Sequence, residues 1–189
     1  MTVISPPPGT RQADAVGGIS SPTPGTAWVA SATEASLYAF TIPANTLAIG
    51  TTYEVLLYGQ VILSATASNH TYRWRVGGVG DARVVCMTGV AAVTYGAAAI
   101  AYPGRALRIY TQFTVRATGV SGSLIGLGEA HNYAAGTRDN QMMIVAAAPG
   151  AVTMDTTIAN TIHFTAVSSV AAAGTTTQFL TGVVLLSRL

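Results

Sequence analysis

The sequence predicts an all-β protein, an antiparallel β-sandwich or barrel with an extended segment in front of it. Three observations predict this. From Ser36 onward, apolar and polar residues alternate with period two, the pattern of strands buried on one face. Helix signals are weak, while Gly and Thr punctuate the chain throughout. Five of the eight prolines (Pro6, Pro7, Pro8, Pro22 and Pro24) fall within residues 1–31, among Gly, Ser and Thr. The 189 residues suffice for one core and are tight for two.

Residues 1–31 have the wrong composition for a core and read as an extended, polyproline-like anchoring arm. Residues 32–189 form the sandwich domain. An arm needs apolar anchors; Trp28 and Val29 are the strongest candidates, Ile4 and Ile19 weaker ones. The arm either crosses a neighbouring subunit or folds back on its own domain.

The first strand lies in "LYAFTIPANTL", residues 37–47. Tyr38 and Phe40 are spaced two apart. Pro43 cannot donate to a ladder, so it marks the strand's end, and Ile42 before it is pushed to the extended region. Ala44-Asn45-Thr46 then turns, and Leu47 tucks back under the sheet. "TYEVLLYGQVILSA" is apolar on both faces, as a central strand is. "TYRWRVGG" follows the short polar stretch "TASNH", which reads as a hairpin turn. On that strand Arg73 and Arg75 share one face, with Tyr72, Trp74 and Val76 on the other.

Between Arg83 and Arg105 the chain is uncharged and long enough to span a bilayer. It is rich in Ala, Gly and Thr rather than Leu, Ile and Phe, so its insertion energy is marginal. We read it as a strand plus an Ala/Gly-rich loop. In "RALRIYTQFTVRATG", Leu107, Ile109, Phe113 and Val115 alternate with Arg108, Tyr110, Gln112, Thr114 and Arg116, a half-buried strand. "GVSGS" after it is a glycine-rich turn. "SLIGLGEAHNY", "NQMMIVAAA", "NTIHFTAVS" and "TTQFLTGVVLLSRL" supply the remaining strands, about eight in all. "TRDNQMMIVAAA" also carries a short-helix signal, with Thr137 or Asp139 as cap.

Half the residues are hydrophobic and only 8% are charged, against roughly 25% in ordinary soluble domains. All nine cations are arginine. A bias toward Ala, Gly and Arg codons explains the missing lysine but not the scarcity of Asp and Glu. An exterior largely covered by neighbours explains both, so the composition points to an assembly subunit. The net charge of +2 and the scattered arginines do not favour nucleic-acid binding, which wants clustered basic residues. Arg73 and Arg75 form the one local cluster: a candidate assembly contact, or simply a solvated strand face. "MTVISPPPGT" is not a secretory signal, which predicts a protein assembled in a cytoplasm.

No catalytic constellation emerges. Cys86 is the single cysteine, so an intrachain disulfide and a multi-cysteine zinc site are excluded. "GVSGS" lacks the G-x-S-x-G spacing of a nucleophile elbow. His70, His131 and His163 lack the i, i+4 spacing of a helical metal site. A glycosidase pair would have to come from Asp14, Glu34, Glu54, Asp81, Glu129, Asp139 and Asp155; against such a site, Glu54 and Glu129 sit in or beside strands. "TRDN" lacks the dense acidic spacing of a calcium loop and reads as a turn, as does Asp155 in "MDTT". The sequence therefore predicts no enzyme, cofactor or metal, and no nucleic-acid or membrane partner.

The order of these pieces resembles the jelly-roll virion structural proteins of tailed bacteriophages. The residues that carry the resemblance are "TIPANTL", then "TTYEVLLYGQVILSA", "YRWRVGG", "RIYTQFTVRATG" and "DTTIANTIHFTAVSS", within roughly residues 36–189. The resemblance implies a jelly-roll sandwich and a homotrimer in contact with other virion proteins. It implies a capsid decoration or head-fibre-base subunit, located in the virion and assembled in the bacterial cytoplasm. The alternative is a tail-associated receptor-binding module for host-surface carbohydrate, which exposed clustered aromatics would favour.

Overall fold

The structure, a computed structural model, describes residues 11–13, 27–62, 68–88, 93–95, 105–134, 137–144, 151–169, 171 and 176–187. Those residues form strands and turns, without a helix. The strands are β1 (Arg11–Ala13), β2 (Trp28–Val29), β3 (Ala35–Ile42), β4 (Thr52–Ile62), β5 (Ser68–Val76), β6 (Val84–Thr88) and β7 (Val93–Tyr95). They continue with β8 (Arg105–Ala117), β9 (Ser123–Ala134), β10 (Thr137–Ile144), β11 (Val152–Thr153), β12 (Asn160–Ser168) and β13 (Thr176–Ser187). Every pairing among them is antiparallel.

The ladder runs β1-β13-β4-β8-β9-β10-β6-β5-β12-β3, with β2 on β13, β7 on β5 and β11 on β9. It curls over so that β3, β5 and β12 face β4 and β8. A cross-layer aromatic cluster joins the two layers. Phe40 packs against Tyr53 and Phe113, and Trp74 meets Phe113 edge to face at 5.2 Å. Inward positions follow the expected alternation: Tyr53, Val55 and Leu57 on β4, and Leu107, Ile109, Phe113 and Val115 on β8, all buried. Each such aliphatic or Phe side chain contributes about 1.5–3 kcal/mol by leaving water. The indole N–H of Trp74 would be orphaned in this core. It donates instead to Thr111 Oγ1 at 2.9 Å, the polar position in the inward row of β8.

The proline corner forms as its residues dictate. β3 ends at Ile42, Pro43 follows, and Asn45 takes the left-handed conformation at φ 58°. Thr46 Oγ1 donates to the Pro43 carbonyl at 2.8 Å, and Leu47 packs partly buried against the core. At the other seam β13 approaches β3 through Gly182, where a Cβ would lie 2.7 Å from the Tyr38 ring.

Three local expectations are corrected. β4 and β5 are not a hairpin: β4 pairs with β13 and β8, while β5 pairs with β12, β6 and β7. The long apolar β4 is satisfied on both edges, so β5 begins in the opposite layer, already at Ser68 rather than after a turn ending at His70. "TRDN" is neither turn nor helix cap. It opens β10, whose Thr137–Met143 pair with β9, and ladder pairing overrides the local capping signal. The described residues hold thirteen strands rather than about eight: β1, β2, β7 and β11 have three residues or fewer, too short for alternation to register, whereas β6 is the strand expected after Arg83. No helix among the described residues is long and apolar enough to cross a membrane.

Candidate functional site

Arg73 and Arg75 face outward from β5, as their alternation requires, yet they do not form a solvated face. Both converge on Glu34, in the segment leading into β3. Arg75 Nε and Nη2 reach the two Glu34 oxygens at 2.9 and 3.1 Å, and Arg73 Nη1 lies 3.5 Å away. Thr165 Oγ1, on the adjacent β12, donates to the same carboxylate at 2.6 Å. Arg75 also donates to the Asp81 carbonyl and is only 9% exposed. Burial alone would raise the Glu34 pKa; the hydrogen bonds from Arg75 and Thr165 and the charges of Arg75 and Arg73 outweigh it and hold the carboxyl below its ordinary value. Glu34 lies outside every strand pattern, so no sequence signal pointed to it.

Of the proposed arm anchors, Trp28 is buried in this chain's own core and Val29 is exposed. Both pair with the start of β13, as Arg11–Ala13 pair with its end. Ile4 and Ile19 lie outside the described residues. Trp28 packs edge-on against His70 at 5.2 Å. His70 is fully buried, bonded to Ser68 Oγ at 3.1 Å and Tyr72 Oη at 3.4 Å. Desolvation lowers its pKa to about 4, so it is neutral at physiological pH.

One end of the sandwich is built by four connections: residues 43–51, 77–83, 118–122 and 154–159. The first, third and fourth are laced together by backbone bonds, Asn45 N–H to the Thr156 carbonyl, Thr156 N–H to Gly119 and Met154 N–H to Gly122, all between 2.8 and 3.0 Å. The second is tied to β12 through Gly77 N–H and the Thr161 carbonyl at 2.9 Å. Asp155 Oδ1 accepts from the Thr157 N–H and hydroxyl, the turn role its sequence context suggests. All the left-handed residues described, Asn45, Gly50, Gly77, Gly78, Gly80 and Gly119, lie in these connections. This fixed end exposes large aliphatics: Ile49 at 70%, Val79 at 50%, Val120 at 71% and Ile158 at 56%.

A second surface is the outer face of β4, β8 and β9. The register places Glu54, Gln112 and Leu127 in one row, Leu56, Tyr110 and Glu129 in the next, and Tyr58, Arg108 and His131 in the third. Gln112 Nε2 donates to Tyr110 Oη at 2.8 Å and to Glu54 Oε1 at 3.2 Å. The Arg108 guanidinium lies 5.9 Å from the Tyr110 ring centre. Tyr58 is 43% exposed. The two carboxylates that sequence alone could not place therefore share a face, about 12 Å apart at Cα by strand geometry. Their partners draw them apart: Glu54 bonds within its own row, while Glu129 turns toward His131 in the row on the far side.

The remaining nucleophiles and ligands stay separate. Cys86 is buried, and desolvation pushes its thiol pKa far up, away from the reactive range. His163 Nδ1 is paired with Ser36 Oγ at 2.9 Å on the outer face of β3 and β12, away from His70 and His131. Among the described residues, no three His, Cys, Asp or Glu side chains gather as a metal site.

No family model matches the chain, and no curated protein matches it. Among solved structures, the crystal structure of a β-1,3-glucanase from Mycobacterium marinum aligns at 11% identity over 96% of this chain and 100% of that one, with a TM-score of 0.25. At that score the likeness carries no argument.

Proposed function

We propose that this chain is a non-enzymatic structural protein of a bacteriophage virion, a jelly-roll capsid decoration or head-fibre-base subunit. It associates with its own copies as a trimer and with a neighbouring virion protein. The observation that carries the assembly reading is the apolar end. Four exposed aliphatics stand on connections held by backbone hydrogen bonds, so little conformational entropy is lost when a partner covers them. The low charge of the whole chain supports the same reading. The virion assignment itself rests on the resemblance of the strand sequence to phage jelly-roll proteins.

A tail-associated module for host-surface carbohydrate is the second reading, favoured by Tyr58 and Tyr110 on the outer face of β4 and β8. Quantitative mass spectrometry of purified virions tests the proposal. A decoration or head-fibre-base subunit is present in many copies per particle. A few copies per particle support the tail module, and absence from purified virions contradicts both readings.

A further inference from the structure

We infer that the apolar end of the sandwich is the docking site for residues 1–10 of a neighbouring copy, so that each subunit gives one segment and receives one. This rests on the self-association proposed above and names what joins the copies. The first observation is the register of β1. It is the outermost strand of the ladder, and Arg11 pairs with Ser187, which pairs in turn with Thr52, where the connection 43–51 enters β4. Traced back from Arg11, the chain therefore leaves the sheet at the apolar end, not at the opposite end where β2 meets Thr176 and Thr177. Gly9 and Thr10 alone separate β1 from Pro8, Pro7 and Pro6. A polyproline rod advances about 3.1 Å per residue, so the three prolines carry residues 1–5 about 9 Å past the rim, toward a copy that faces this end.

The second observation is the chemical match. Residues 1–10 carry no charge, and Met1, Val3 and Ile4 join the three prolines as apolar groups. The four connections of the apolar end hold three charged side chains, Asp81, Arg83 and Asp155. Each is already bonded within its own connection: Arg83 Nη2 to Asp81 at 2.6 Å, and Asp155 to the Thr157 N–H at 2.8 Å. Covering this end needs no counter-charge, and Ile49, Val79, Val120 and Ile158 offer apolar surface to Val3 and Ile4. The third observation is pre-organisation on both sides. Backbone hydrogen bonds hold the end, and the prolines hold the segment, so docking orders little that was free. The reach suffices: β1 to β9 is four strand spacings, about 19 Å, and ten extended residues span about 30 Å. Donor and acceptor are different surfaces, so the contact is heterologous and closes as a ring, here of three.

The test is sedimentation of the full-length chain as wild type, Ile4→Asp and Val120→Asp. Ile4 lies on the donor and the exposed Val120 on the acceptor. We expect each variant to raise the concentration at which the assembly dissociates at least tenfold, with the circular dichroism spectrum of wild type. Mixing the two variants restores association, because the intact segment of Val120→Asp seats on the intact end of Ile4→Asp. A mixture that stays dissociated overturns the inference, and is the result of a segment folded onto its own end. A trimer unchanged in both variants also overturns it, while leaving the trimer itself standing. A monomeric wild type removes the self-association on which the inference rests, and the inference with it.

Discussion

Replacing Glu34 with Gln should destabilise the fold by about 2 kcal/mol. Breaking a buried ion pair costs about 3–5 kcal/mol, because the surviving charge is stranded, whereas an exposed pair is worth about 0–1 kcal/mol. The cluster lies between these limits: the side chains of Glu34, Arg75 and Arg73 retain 14%, 11% and 22% of their exposure. Glutamine keeps an acceptor for Thr165 but leaves Arg75 without its counter-charge. In a domain of this size, about 2 kcal/mol corresponds to a fall of about 4–8 °C in Tm. Urea denaturation of wild type, Glu34→Gln, Arg75→Met and the double variant gives the coupling directly, expected above about 1 kcal/mol. The pH dependence follows from the lowered carboxyl pKa. The stabilisation is complete above the unfolded value of 4.5 and is lost as pH falls through the folded value, so the gap between wild type and variant closes in acid. A loss below about 0.5 kcal/mol that does not change with pH would refute the account and return Arg73 and Arg75 to the role of a solvated face.

Thr111→Val keeps the shape of the inward row of β8 but strands the buried indole N–H of Trp74. It should cost about 1–3 kcal/mol by chemical denaturation, and a neutral result would mean that the bond contributes nothing. His70 is buried neutral, so stability should fall as pH drops from 6.5 toward about 4, by up to about 3 kcal/mol. A His70→Gln variant should have a flatter stability profile across that window. Deleting residues 1–27 removes the short edge strand β1 but keeps Trp28 on β13, and should leave a folded sandwich that no longer attaches to particles lacking the native copy. Loss of the cooperative unfolding transition on truncation would place the arm within the fold.

The long strands were legible because each is buried on one face or on both, and burial writes itself into period two or into a continuous apolar run. β8 shows this most clearly, with Leu107, Ile109, Phe113 and Val115 inward. The proline corner after Ile42 and the turn at Asp155 were legible because backbone chemistry is local. Which strand pairs with which was not legible: β4 and β5 are consecutive and apolar, yet lie in opposite layers. The candidate surfaces were hidden for the same reason. Glu34 meets Arg73 and Arg75 only because β3 and β5 both flank β12. Tyr58 and Tyr110 share a face only because Tyr58 pairs with Arg108 and Leu56 with Tyr110. Ile49, Val120 and Ile158 are far apart in sequence and reach one end through hydrogen bonds between three separate connections.

The central claim is that this charge-poor sandwich exists to be covered by neighbours, beginning with its own copies. Light scattering of the full-length chain at micromolar concentration tests it most directly. The account predicts a stable species with the mass of three 19.3-kDa chains. A monodisperse species with the mass of one chain would contradict it.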